Sequence, residues 1–500
     1  MQPRFIESLI EIIPVLYLSI LSVISLYGCH KVLMVWRFYK YREKDNATYC
    51  ALGSKPTRAF YHQTLPKVTV QLPVFNEMYV VERLLDAVAQ LKYPLDRLEI
   101  QVLDDSTDET QQICQRKVAE LKQRHLNIAY IHRPHRQGFK AGALAYGLQR
   151  ASGELVMIFD ADFVPAPDTL LQMVDYFADP TVGMVQARWV HINRQYSLLT
   201  QIQALMLDGH FVIEQTARNQ SGCFFNFNGT AGIWRVSAIA DAGGWEHTTV
   251  TEDLDLSYRV QLRGWQCRYL PHIMVPAELP MEMNSFKAQQ FRWAKGASQV
   301  ARKLLGTVFF AKLPLYVKCE AFLHLTNNFN YLLLLILLFL LLPYQIYISQ
   351  HQWQYGLFIY LPIFLGTTLN LLGFYWVSQR EQQIFLSPWQ FGQQAFLLMS
   401  VGIGLSLNQS LAVCDGLLRT GTDFIRTPKH GVTQSSELWI TKKYRGAKTW
   451  MLCLEMLMLL YLAVTTIFAI YHMHYLSLPF LLMFLVGYGY VLGLGLFQRR

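Results

Sequence analysis

Apolar and polar positions divide the chain into a hydrophobic start, a mixed middle and a largely hydrophobic end. Ile12 to Cys29 carries no charged side chain, and four later runs, Phe322 to Ile348, Leu357 to Val377, Trp450 to Tyr471 and Leu476 to Phe497, are of similar or greater length. As helices each would cross ~30 Å of hydrocarbon. A sixth run, Ala395 to Val413, holds Ser, Gly, Asn and Gln and follows Pro388, Gln390, Gln393 and Gln394. The loop Arg419 to Lys448 is rich in Lys and Arg and is expected on the cytoplasmic side, so the segment between Val377 and that loop must return to the side it left. An interfacial or re-entrant helix does that. Five spans are expected, with Gln498-Arg499-Arg500 inside; six is the alternative.

From Tyr49 to about Leu279 the pattern changes to short β-rich runs alternating with amphipathic stretches. Val68 to Leu72, Leu98 to Leu103 and Leu155 to Phe159 read as strands, and Met78 to Leu91 and Asp108 to Gln123 as helices. This βαβ order predicts a mostly parallel, Rossmann-like sheet covered by helices, with ligands at the carboxyl ends of the strands. The expected organisation is an anchor over 1–48, a cytoplasmic α/β domain over 49–285, interfacial amphipathic helices over 286–320 and membrane helices over 321–500.

Composition supports the membrane reading. Hydrophobic residues make up 52% of the chain and mean hydropathy is +0.19, too high for an ordinary soluble enzyme. The net charge of +9 is concentrated in stretches such as Lys31 to Arg58 and Arg419 to Lys448, which suits cytoplasmic flanks and anionic headgroups. No nucleic-acid reading module accompanies it. A signal peptide carries its positive charge before the apolar run; here Lys31, Arg37, Lys40, Arg42 and Lys44 follow it, as in an uncleaved anchor. The eight cysteines are scattered without a C-x-x-C pair, the pattern of structural thiols in a reducing compartment.

The strands end in polar residues that suit a nucleotide diphosphate: Gln71 to Glu77, Asp104-Asp105-Ser106 and Asp160-Ala161-Asp162. An acidic pair after a strand is as often a turn or a helix cap. Asp160 and Asp162, one residue apart beyond an apolar strand, can also hold Mg²⁺ or Mn²⁺ against a diphosphate. Asp104 and Asp105 would then serve the nucleoside end and the metal shell. Lys140 opens a helix and adds a cation near the phosphates, or is a solvated helix-start lysine. Thr251-Glu252-Asp253 begins another helix, with Thr251 as an ordinary cap or with Asp253 as the general base of an inverting transfer. Gln289, Arg292 and Trp293 share one side of a helix. That pattern suits an interfacial helix; it also lets Arg292 pair with a diphosphate oxygen and Trp293 stack on a sugar.

These residues together resemble the family 2 glycosyltransferases of the cellulose synthase superfamily, within it the cellulose synthase-like A and C groups. The similarity runs through Gln71-Leu-Pro-Val-Phe-Asn-Glu77, Val102-Leu-Asp-Asp-Ser-Thr-Asp108, Lys140 to Leu144, Phe159 to Phe163, Val185 to Trp189, Phe227 to Arg235, Thr251 to Asp253 and Gln289 to Trp293. The resemblance implies a GT-A domain, Asp253 as base, Gln71, Asp104, Asp105, Lys140, Asp160 and Arg292 around the nucleotide, and Asp160 and Asp162 on the metal. It implies Gln289, Trp293, Glu252, Asn228, Gly229 and Thr230 near the acceptor, and Asn327, Asn328 and Asn330 along a polymer exit path. It further implies that Phe424, Arg426, Thr427 and Lys429 belong to a gating segment over the nucleotide. Phe291 stands where such proteins usually carry His, and Thr251 where they carry Val, so the choice between UDP-glucose and GDP-mannose stays open. The expected activity is a processive, inverting β-glycosyltransferase that extends a β-1,4-linked glucan or mannan and passes it through the bilayer. The rivals are a single-transfer, ceramide-type lipid glucosyltransferase and a catalytically silent membrane scaffold.

Overall fold

A computed structural model describes residues 2–52, 65–351, 356–419, 426–432, 442–444 and 450–498, with backbone alone over 2–10, 43–52 and 356–361. Seven strands form one sheet: β1 (Val68–Val74), β2 (Leu98–Asp104), β3 (Ile128–His132), β4 (Leu155–Ile158), β5 (Val182–His191), β6 (Gly232–Arg235) and β7 (Gln266–Ala277). Their order is β3-β2-β1-β4-β6-β5-β7. All pairings are parallel except those of β6, which runs against both β4 and β5. The sheet is therefore mostly parallel, as the sequence pattern predicts, and β6 makes it mixed.

β4 shows why an unbroken apolar run makes a central strand. Leu155 and Met157 enter the core on one face and Val156 and Ile158 the core on the other, all essentially inaccessible. Period-two alternation between two covered faces requires apolar residues at every position. Helices Val81–Ala89 and Thr110–Gln123 cover the first face, and Phe139–Leu148 and Glu252–Leu262 the second. Register then aligns the strand ends: Val74 pairs with Asp104, and Asp104 with His132. The segments that follow β1, β2, β3 and β4 consequently emerge on one edge.

The helix Met283–Phe310 leads from the sheet into a helical region. It lies so close to the helix Ser406–Leu418 that a Cβ on Gly416 would come 2.4 Å from the Lys295 carbonyl. Among the described residues, four helices are long and apolar enough to cross a membrane: Glu11–Arg42, Phe329–His351, Met451–Tyr471 and Tyr475–Phe497. The chain is a multi-pass membrane protein. Helices Pro388–Gly404 and Ser406–Leu418 meet at 48°, a broken span or a re-entrant loop, and the bend falls inside the run Ala395 to Val413. Leu357 to Val377, expected as a span, belongs to the helix Gly356–Glu381, and its first five residues lie outside those whose side chains are described.

Buried ion pairs tie the first helix to the rest. Glu320 receives His30 at 3.0 Å, Arg37 at 2.6 Å and Arg218 at 3.0 Å, while Glu214 pairs with Lys31 and, at 3.4 Å, with Arg218. Such groups persist in a low-dielectric interior only when mutually paired.

Candidate active site

The turn after β1 contains Asn76 at φ +53°, a left-handed conformation that Asn tolerates better than most residues. Its backbone N–H donates to the Ser106 hydroxyl at 2.8 Å, and its side-chain oxygen accepts from the Thr107 N–H at 2.8 Å. The β1 and β2 turns are thereby fastened together. Gln71 stays inside the sheet, bonded to Gln101 at 3.1 Å. Asp104 is also fully buried, accepting from the Ser106 N–H at 2.9 Å and the Tyr130 hydroxyl at 2.6 Å. Asp105 reaches the cavity beyond the strands, but both its oxygens are held by the fork of Arg133, with Nε at 2.7 Å. Asp104 and Asp105, expected at the nucleoside end and in the metal shell, also brace the turn through these donors.

Asp160 and Asp162 both line the cavity. Lys140 donates to Asp160 Oδ1 and, at 3.0 Å, to the Gly229 carbonyl. Burial would depress the Lys140 ammonium, but Asp160, Glu252 and Asp253 around it hold its pKa above the ordinary lysine value. It is not a solvated helix-start residue. The Asp160 N–H donates to the Thr230 hydroxyl at 2.8 Å, so Thr230 supports Asp160 from behind and is not part of the cavity wall. Lys429 donates to Asp162 Oδ2 at 2.8 Å. Each carboxylate therefore already faces one positive charge. Among the described residues no group of three or more His, Cys, Asp or Glu side chains is placed to hold a metal. Two carboxylates alone fit a hard cation that takes its remaining oxygens from phosphates and water.

Thr251 precedes the helix Glu252–Leu262, yet its hydroxyl makes no capping bond. Gly296 of the long helix explains its setting: a Cβ there would lie 2.3 Å from the Thr251 side chain. The missing side chain lets the helix bearing Gln289, Arg292 and Trp293 close onto Glu252 and Asp253. Burial raises the Asp253 carboxyl above its ordinary value, against the pull of Lys140 and Arg292. Burial and the Asp253 charge push Glu252 up to about 7. Burial in turn lowers Arg292, although Glu252, Asp160 and Asp253 all stabilise its charge. Asp253 Oδ1 accepts from the Leu254 N–H at 2.8 Å, which fixes its rotamer. Trp293 packs against Leu207, Phe211 and Leu279.

Two cavities meet here. The first, about 170 Å³, contains Asp105, Lys140, Asp160, Asp162, Gln289 and Arg292 in its wall. The second, about 530 Å³, runs among the helices past Tyr27, Leu337, Phe364 and Met483, with Asn327, Asn328 and Asn330 in its wall. Trp189, Leu207, Asn228, Thr251, Asp253 and Trp293 belong to both.

The basic loop returns to the first cavity. Arg426 pairs with Glu77 at 3.0 Å, and Thr427 and Lys429 contribute to the wall; Phe424 lies outside the described residues. Several wall residues were not singled out from sequence. Trp189 sits between Phe163 and Phe211, with ring centroids 5.2 and 5.1 Å away. Arg136 lies 3.4 Å from the centroid of the Phe75 ring, and burial pushes its pKa down to about 10. Glu77, raised to about 8 by burial, and Glu278 complete the set. Trp189 and Glu77 lie inside the recognised motifs, a signal that was available; Arg136 and Glu278 lie outside them.

Residues 66–296 match the family model described as "Glycosyltransferase like family 2". Glucomannan 4-beta-mannosyltransferase 2 of Arabidopsis thaliana is 45% identical over 245 residues, covering 48% of this chain and 46% of that protein. Glucomannan 4-beta-mannosyltransferase 1 of Oryza sativa subsp. japonica is 34% identical over 381 residues, 73% of this chain and 70% of that protein. In the first relatives matched, the aligned part of the chain spans about half their length. Among solved structures, a mannosyltransferase from Pyrobaculum calidifontis in complex with GDP-Man and Mn²⁺ aligns at a TM-score of 0.52 and 23% identity, over 74% of this chain and 98% of that one. That likeness gives the sheet and its helices a GT-A-like fold.

Proposed function

The chain belongs to the family 2 glycosyltransferases, and from that premise we propose that it is a processive, inverting hexosyltransferase. It transfers mannose from GDP-mannose or glucose from UDP-glucose to a growing β-1,4-linked polysaccharide and passes the product into the membrane region. The matched plant proteins are named for a mannosyl transfer, which favours GDP-mannose. The observation that carries the reading is the shared wall of the two cavities, with Asp253, Asn228 and Trp293 at the junction. A chain extended at that point has a continuous space ahead of it.

In this reading the diphosphate lies over the ends of β1 and β4, where Lys140 and Arg292 face its oxygens. The acceptor rests on Trp293 and presents a hydroxyl to Asp253. Asp253 removes the hydroxyl proton as that oxygen attacks the anomeric carbon; the bond from that carbon to the diphosphate breaks, and the configuration inverts. A divalent cation, Mg²⁺ or Mn²⁺, held by Asp160 and Asp162 would offset the charge on the departing nucleoside diphosphate. Burial raises the pKa of Asp253, which makes it a stronger base than a solvated carboxylate. The basic stretches Lys31 to Arg58 and Arg419 to Lys448 support a cytoplasmic side for the catalytic domain, over 49–285. The anchor at 1–48, the interfacial helices at 286–320 and the membrane helices beyond follow from the same orientation.

Purified protein given radiolabelled GDP-mannose or UDP-glucose with Mn²⁺ tests this. The expected product is a high-molecular-weight glycan cut by β-1,4-mannanase or β-1,4-glucanase and absent when EDTA is added. Label confined to an organic-solvent lipid fraction would overturn the polymer reading.

A further inference from the structure

Glu278 follows β7 and is 4% exposed. Its carboxylate accepts the backbone N–H of His430 at 2.8 Å on one oxygen and that of Gly431 at 2.9 Å on the other. Its own carbonyl accepts from Lys429 Nζ at 2.7 Å, and its own N–H donates to Asp162 Oδ2 at 3.1 Å. One residue thus grips the loop 426–432 by its main chain and the Asp162 carboxylate by its amide. Gly431 makes the seat specific: it adopts φ +64°, and a Cβ there would come 2.4 Å from the Tyr79 carbonyl.

We propose that Glu278 is a positioning residue that anchors the loop 426–432 at the nucleotide cavity and registers it against Asp162. The inference rests on the reading of that cavity given above. The loop has attachments of two kinds. Lys429 to Asp162 and Arg426 to Glu77 end on carboxylates in the cavity wall, so a cation and a diphosphate entering the cavity compete for the same charges. The Glu278 attachment uses main-chain donors, which no ligand displaces by charge exchange. Glu278 therefore keeps the loop in place while Lys429 moves from Asp162 towards the diphosphate. A buried carboxylate that accepts two amides is also a strong anchor, since charge-assisted bonds are about twice as strong as neutral ones.

Hydrogen exchange by mass spectrometry on the full chain in detergent, without nucleotide, reads the anchor directly. In Glu278→Gln one oxygen still accepts an amide while the new NH₂ group opposes the other. Exchange over 426–432 is expected to speed up by about tenfold or more, the scale of one lost hydrogen bond to a charged acceptor, with the strands of the sheet unchanged. Gly431→Ala, which unseats the loop from its own side, is expected to do the same. In turnover the donor KM of both variants should rise about tenfold while kcat changes less than about threefold. Wild-type loop exchange in both variants, exchange raised throughout the sheet by both, or a loss confined to kcat would overturn the proposal. The exchange readout needs no turnover, so it stands apart from the test of the activity itself.

Discussion

Gly229→Ala tests the packing of the reaction centre most sharply. Gly229 adopts φ +84°, and a Cβ there would lie 2.9 Å from Asp253 Oδ2 and 3.4 Å from Lys140 Nζ. Alanine in the left-handed region costs roughly 1–2 kcal/mol. The contact with Oδ2 falls short of an ordinary van der Waals distance by about half an ångström. The carboxylate is half-buried, and its other oxygen is held by the Leu254 N–H at 2.8 Å, which resists its rotation. The fold should survive, since about 1–2 kcal/mol is a minor part of the ~5–15 kcal/mol that holds a typical domain. Catalysis should suffer more, because a misplacement of ~1 Å in a reacting group can lower the rate about a hundredfold. A displacement of half that size predicts a kcat lower by roughly ten- to a hundredfold, with nucleotide binding retained. Initial rates at saturating donor, beside nucleotide binding and a thermal scan, make the measurement. A variant with wild-type kcat, or one whose whole loss is weaker donor binding, refutes the reasoning.

Two further outcomes follow from buried charge. Lys287 on the long helix and Glu455 on the span Met451–Tyr471 form an ion pair with both side chains 2% exposed or less. Lys287→Met or Glu455→Gln alone should destabilise by about 3–5 kcal/mol, whereas Lys287→Met with Glu455→Leu should be nearly neutral; equal effects in denaturant titrations of the single and double variants would contradict this. Glu252, buried, and Asp253, half-buried, are adjacent carboxyls, both raised, Glu252 to about 7. A base works ionised, so kcat/KM should fall as pH drops through this raised range and not near the ordinary aspartate value. Glu252→Gln removes the neighbouring charge and should move the acid limb to lower pH; a pH profile with an unmoved limb rejects the pairing.

The sequence made the strand ends legible because β4 is an unbroken apolar run and β1 and β2 alternate apolar residues with Thr69, Gln71, Glu99 and Gln101 before their polar ends. β7 was hidden: Pro271, His272 and Pro276 argue against a strand, and the sheet accepts them because β7 lies at its edge. β6 has four residues and runs antiparallel, a reversal that no local pattern announces. Site residues were visible where chemistry is concentrated in short motifs, as in Asp160-x-Asp162 or Thr251 to Asp253. Long-range partners were not. Arg133 occupies Asp105 from 28 positions away, and Glu278 meets His430 across 152. Thr251 looked like a helix cap because cap propensity is local. Its actual neighbour is Gly296, on another helix.

Asp253→Asn is the most direct measurement of the central claim, that the carboxylate at the junction of the two cavities takes the acceptor proton. The amide keeps the shape of the side chain and removes the base. Nucleotide binding by the purified variant should match the wild type, while incorporation of labelled sugar into polymer should fall to background. Polymer formed by Asp253→Asn at a rate near that of the wild type would contradict the account.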